Sequence, residues 1–117
     1  MTVEQLAHYW DEIPTSKENA VSYFELCVKW GINERQVRRI LHDLSLFDNG
    51  DKYVLIRSAR TKGFYRSDDI DEIQIYRREC LSKGKSIFAP VKKCNRILND
   101  HGQIDLIIDA FFDLLDN

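Results

Sequence analysis

Residues 22–44 read SYFELCVKWGINERQVRRILHDL. Tyr23, Leu26, Cys27 and Trp30 recur at i, i+3, i+4 and i+7, the spacing of one face of an α-helix. Val37, Ile40, Leu41 and Leu44 repeat that spacing after a Gly-Ile-Asn break. Ser22 with Glu25 forms a reciprocal capping-box pattern at the first helix start, and Asn33 with Gln36 forms another at the second. Gly31 supplies the residue best able to take the left-handed conformation that ends a helix. The stretch therefore predicts two short helices joined by a tight glycine turn, a helix-turn-helix unit.

Towards the N-terminus, Val3, Leu6, Ala7 and Trp10 give a third stripe of the same spacing. Thr2 can cap that helix, and Ile13-Pro14 ends it. Residues 15–21 are polar and read as a connection. Downstream, the turn cluster at 48–51 is followed by a β-rich segment at 53–57 and a second short strand at 64–66. The polar segment at 58–63 joins them as a basic hairpin, too small to be stable without a helix beside it. Ser67 or Asp68 is expected to cap the next helix, with Ile70, Ile73, Tyr76 and Cys80 as its apolar stripe. Lys83-Gly84-Lys85-Ser86 reads as a break. Ile87, Val91, Cys94 and Leu98 then suggest another helix, with Pro90 tolerable only near its start. Residues 99–102 break the chain again before a terminal helix of about 104–115. The fold class is mainly α with a small β-hairpin wing, a winged helix-turn-helix followed by C-terminal helices. Residues 1–82 are assigned to the winged domain. Residues 83–117 form a helical extension for interaction or dimerisation, packed on the first part as one compact unit.

The 117 residues suffice for one domain, and a chain of this size buries roughly two-thirds of its unfolded surface, enough for a core without disulfides. Cys27, Cys80 and Cys94 form no Cys-x-x-Cys pair, and His8, His42 and His101 stand at no zinc-ligand spacing to them. The cysteines read as small hydrophobes in a reducing compartment. Apolar runs are far too short for a membrane span, and the acidic N-terminal stretch differs from a secretory signal. The expectation is a cytoplasmic protein with no membrane contact and no cofactor or metal.

The formal net charge of −2 conceals a strong asymmetry. Residues 1–28 hold one base and five acids, residues 29–66 nine bases and four acids, and residues 67–117 seven bases and ten acids. Exposed charges act over about 10 Å at ordinary salt, so an acidic chain can present a basic face to nucleic acid.

That face falls on the second helix of the opening stretch. Arg35, Arg38, Arg39 and His42 recur at i, i+3, i+4 and i+7, displaced from the apolar stripe. In a winged helix this is the recognition helix, which enters the major groove of double-stranded DNA. Arginine suits the position because its planar fork bonds guanine O6 and N7, or a phosphate, at two points. Gln36 is a candidate adenine reader, and Asn33 stands at the helix start, where backbone N–H groups meet phosphate. The hairpin offers Arg57, Arg60 and Lys62, and Lys29 and Arg66 flank the surface.

Pro14, Thr15, Glu18, Asn19, Ala20, Val21 and Ser22, followed by the helix-turn-helix and then Gly63, Phe64 and Tyr65, carry a resemblance. Over roughly residues 13–80 the chain resembles a family of small phage and prophage winged-helix proteins of Gram-positive bacteria. The resemblance implies DNA binding in transcription regulation or in the initiation of DNA replication.

Gln103-Ile104-Asp105-Leu106-Ile107 is similar to the short peptide by which bacterial replication proteins dock on the sliding clamp, with Ile at two positions where that peptide has Leu and Phe. Gln103, Ile104, Leu106 and Ile107, with Phe111, are thus candidate partner-binding residues. The same terminal helix carries a broad apolar arc that can close the core or pair two copies into a dimer. No phosphate-binding glycine loop, metal spacing or nucleophile elbow occurs, and Asp68, Asp69, Asp71 and Glu72 read as helix-capping acids. The chain is expected not to be an enzyme. A non-enzymatic adaptor that assembles other proteins stands as the alternative to DNA binding.

Overall fold

The computed structural model describes residues 1–58 and 63–100. They form a mainly helical structure with a two-stranded antiparallel hairpin between helices. The helices are α1 (Val3–Glu12), α2 (Tyr23–Trp30), α3 (Glu34–Leu46) and α4 (Ile70–Asp100), and the strands are β1 (Val54–Ser58) and β2 (Gly63–Ser67). The chain divides into two compact units, Met1–Ile73 and Gln74–Asn117. That division falls inside α4, ahead of the boundary expected after residue 82. Among the described residues, no helix is long and apolar enough to cross a membrane.

Each of the first three helices starts with a complete capping box. Thr2 pairs with Gln5, Ser22 with Glu25 and Asn33 with Gln36, each side chain accepting from the other residue's backbone N–H. Such caps satisfy backbone donors that have no partner inside the helix, and each contributes about 1 kcal/mol. Gly31 ends α2 with φ +66°, and the N–H groups of Gly31 and Ile32 both donate to the Cys27 carbonyl. The left-handed turn and the Asn33 cap together redirect the chain within three residues, so α3 leaves α2 at once.

The core of the first unit is where the three stripes meet. Trp10, Ile13, Leu26, Val37, Ile40, Leu41 and Leu44 are buried together with Leu55 and Phe64 of the hairpin. Burial of one large aliphatic side chain contributes roughly 1.5–3 kcal/mol, so this cluster outweighs any single polar contact of the unit. Tyr23, Cys27 and Trp30 are half-buried around Leu26, the one α2 residue with no exposure.

Strand β1 pairs with β2 in the register Val54↔Ser67 to Ser58↔Gly63. The connection expected at 15–21 is more ordered than its polarity suggests. It contains a 3-10 turn at Lys17–Asn19, and Val21 then exchanges two backbone hydrogen bonds with Phe64, at 3.0 and 2.7 Å. The Arg66 N–H donates to the Pro14 carbonyl at 2.7 Å. The hairpin is therefore anchored along β2 by the α1–α2 connection. Gly63 permits this approach, since a Cβ there would stand 3.0 Å from Ala20 Cβ.

Two expectations for the next helix need correction. The cap is neither Ser67 nor Asp68. The Asp69 carboxylate accepts from the N–H groups of Asp71 and Glu72, while the Ser67 hydroxyl accepts from Asp69 N–H and donates to Glu72. The break expected at 83–86 is absent, because α4 runs unbroken through Gly84 and Pro90. A single glycine costs a helix only about 1 kcal/mol against alanine, which the flanking helix-forming residues can absorb. Pro90 removes one backbone donor and leaves the Ser86 carbonyl without it, but Ser86 is exposed and water can take that bond. The half-buried side of α4 also differs from the expected stripes. Ile73, Tyr76, Leu81, Phe88, Val91 and Asn95 lie on it, whereas Ile70, Cys80, Ile87, Cys94 and Leu98 are exposed.

Candidate nucleic-acid interface

The buried stripe of α3 fixes what its other side presents. With Val37, Ile40, Leu41 and Leu44 inside, Glu34, Arg35, Gln36, Arg38, Arg39 and His42 are all exposed. Five of these six side chains are basic or neutral donors, and Glu34 alone is acidic.

The Tyr23 ring, at the first turn of α2, organises one edge of this surface. Arg38 of α3 places its guanidinium carbon 4.6 Å from the ring centroid, and Arg57 of β1 lies 5.6 Å from the same centroid. Arg57 also lies 5.7 Å from the Phe64 ring across the hairpin, and the Tyr23 and Phe64 rings meet edge to face at 5.0 Å. Cation–aromatic attraction at such distances contributes about 0.5–1 kcal/mol at exposed sites, and it fixes orientation as well. One aromatic pair thus joins bases from the third helix and from the hairpin on one face.

Arg38 is further held by its own helix. Its Nε and Nη2 both donate to Glu34 Oε1, at 3.2 and 2.8 Å. The Glu34 carboxylate, by accepting those bonds and by its charge, pushes the Arg38 guanidinium above its ordinary value, with a smaller contribution from Tyr23. Both side chains are more than half exposed, so the pair adds little to stability. Arg35 and Arg39 meet no carboxylate among the described residues.

The structure separates the remaining candidates. Asn33 and Gln36 are engaged with each other. Asn33 Oδ1 accepts from Gln36 N–H at 2.9 Å, and Gln36 Oε1 accepts from Asn33 N–H at 3.1 Å. A bidentate reading of adenine would need both amide atoms of Gln36, and the cap engages its oxygen.

Lys29 does not flank the arginine surface as a free base. Its ammonium donates to the Glu12 carbonyl at 3.0 Å, at the C-terminus of α1. Arg66 is likewise engaged within the fold. Its Nε donates to the Ile13 carbonyl at 2.8 Å, its guanidinium carbon lies within 5.5 Å of the Trp10 and Tyr53 ring centroids, and its side chain is only 12% exposed. Neither role was legible from composition, because a lysine or arginine near a basic helix looks the same in sequence whether it faces solvent or a neighbouring carbonyl.

Arg60 and Lys62 lie outside the described residues, as do all the partner-binding candidates, Gln103, Ile104, Leu106, Ile107 and Phe111. Tyr23 is the residue that sequence reasoning missed. It was legible as part of the α2 apolar stripe, but its pairing with Arg38 and Arg57 joins residues 15 and 34 positions apart. Comparison of the chain with protein-family models, with curated proteins and with solved structures gives no match.

Proposed function

We propose that this protein binds double-stranded DNA with sequence preference, using a winged helix-turn-helix in which α3 enters the major groove and the β1–β2 hairpin is the wing. The observation that carries this reading is the convergence of Arg38 and Arg57 on Tyr23, which puts the bases of α3 and the hairpin on one surface. A groove-inserted helix needs both parts, because side chains of the helix read base edges while the wing holds the adjacent backbone. The resemblance to phage and prophage winged-helix proteins points the same way and suggests a role in transcription regulation or replication initiation.

The test is retention of a duplex by the triple variant in which Arg35, Arg38 and Arg39 are each replaced by Gln. These side chains are exposed, so the fold should persist by circular dichroism while duplex retention is lost. With five or six phosphate contacts in the parent protein, log K should fall against log salt with a slope of about −5. Undiminished retention by the triple variant would refute the model.

A second reading is favoured by one specific feature. Phe24 and Val28 stand one turn apart on α2 and are 76% and 69% exposed. An apolar pair on a solvent-facing helix suits a protein partner, as an adaptor would require. Assembly that survives the triple variant would support that reading.

A further inference from the structure

We infer that Arg38 is a guanine-reading residue, and that Glu34 and Tyr23 are positioning residues that prepare it for one base rather than for the phosphate backbone. This rests on the DNA-binding reading above. A guanidinium has two hydrogen-bonding edges and two faces. In Arg38 the Nε–Nη2 edge is taken by Glu34 Oε1, and one face lies against the Tyr23 ring. The Nη1–Nη2 end remains, with two parallel donors in the geometry that matches O6 and N7 of guanine.

The charge balance argues in the same direction. The Glu34 carboxylate neutralises Arg38 locally and repels a phosphate brought to the same place. A phosphate contact gains from an unopposed charge, whereas a base edge is uncharged and gains from donors fixed in direction. Among the described residues Arg35 and Arg39 form no ion pair, although Asp43 stands one turn from Arg39, and their guanidinium groups are not held by a carboxylate as Arg38 is. The three arginines of α3 thus divide into one oriented reader and two phosphate ligands. The sequence alone treats them alike.

The experiment selects bound duplexes from a random pool with the parent protein, then measures affinity for the selected site and for each single-base change in it. The parent should show at least one guanine whose replacement weakens binding about tenfold. Arg38→Ala should lose discrimination at that position only, because no donor pair is left to bond O6 and N7, and should keep the other preferences. Glu34→Gln should reduce the same discrimination while binding of non-selected duplex stays equal or becomes tighter. Both positions are exposed, and circular dichroism verifies the fold of each variant.

If Arg38→Ala instead weakens every duplex by one factor and makes the salt slope shallower by about 0.9, Arg38 is a phosphate contact and the inference fails while the DNA-binding reading stands. Discrimination unchanged in Glu34→Gln refutes the positioning role. If the parent protein retains no duplex at all, the reading and the inference fall together.

Discussion

Arg66 and Arg38 both lie over aromatic rings, yet their surroundings are opposite. Arg66 fills the joint between α1 and the hairpin, with Trp10 and Tyr53 against it and the Ile13 carbonyl as acceptor. Trp10 in turn donates from Nε1 to Asp51 at 2.8 Å, which fastens the 48–53 turn to α1. Arg38 sits on Tyr23 at the rim of the molecule, and its acceptor is a solvated carboxylate one helical turn away. The contrast teaches that an arginine on an aromatic ring carries no functional meaning by itself. What its remaining donors face decides the matter. At the joint they face the Ile13 and Asp11 carbonyls and the Asp11 carboxylate; at the rim they are open to solvent, where a ligand can replace water.

The contrast can be broken by substitution. The largest effect is expected at the joint. Trp10→Ala removes a buried indole and its bond to Asp51, and urea unfolding should show a loss of about 3–5 kcal/mol. Arg66→Ala should cost about 2 kcal/mol, because the Ile13 carbonyl loses a charged donor in a half-buried place. Duplex affinity of the folded fraction should not change, and a selective loss of DNA binding in this variant would return Arg66 to the interface. Gly31→Ala places a Cβ in open space but at φ +66°, so it tests backbone strain alone and should cost about 1–2 kcal/mol. At the rim, Arg38→Ala and Glu34→Gln should leave the urea midpoint where it is, since both groups are solvated in the folded chain. Any sizeable destabilisation by either would show that the rim is part of the scaffold after all.

Much of the first unit was legible because its signals are local. A capping box spans four residues and a helical stripe spans eight, so Ser22, Asn33 and the four buried residues of α3 could be placed from neighbouring letters alone. The same logic failed where the competing states differ by little. Gly84 and Pro90 resemble helix breakers, and α4 passes through both. The expectation of Ser67 or Asp68 as the cap missed Asp69 for a similar cause, for all three carry a suitable oxygen within three positions, and only the direction of the chain leaving β2 selects among them. On the candidate surface, the basic helix face was readable from its displacement against the apolar stripe. The assignments of Lys29 and Arg66 were not, since each depends on a main-chain acceptor near the end of α1.

Where the first three helices start, which side of each is buried, and that α3 turns its arginines outward are all readable from the order of residues. These follow from periodicity and capping, which act over a few residues and need no knowledge of the rest of the chain. Which bases share a surface is settled by how the elements pack. Tyr23 brings Arg38 and Arg57 together across 19 positions of sequence, while Arg66, nine positions beyond Arg57, is drawn away into the α1 joint. Long charged side chains reach several ångströms from their own backbone. Their partners are therefore set by which elements pack side by side, and packing is a property of the folded chain as a whole.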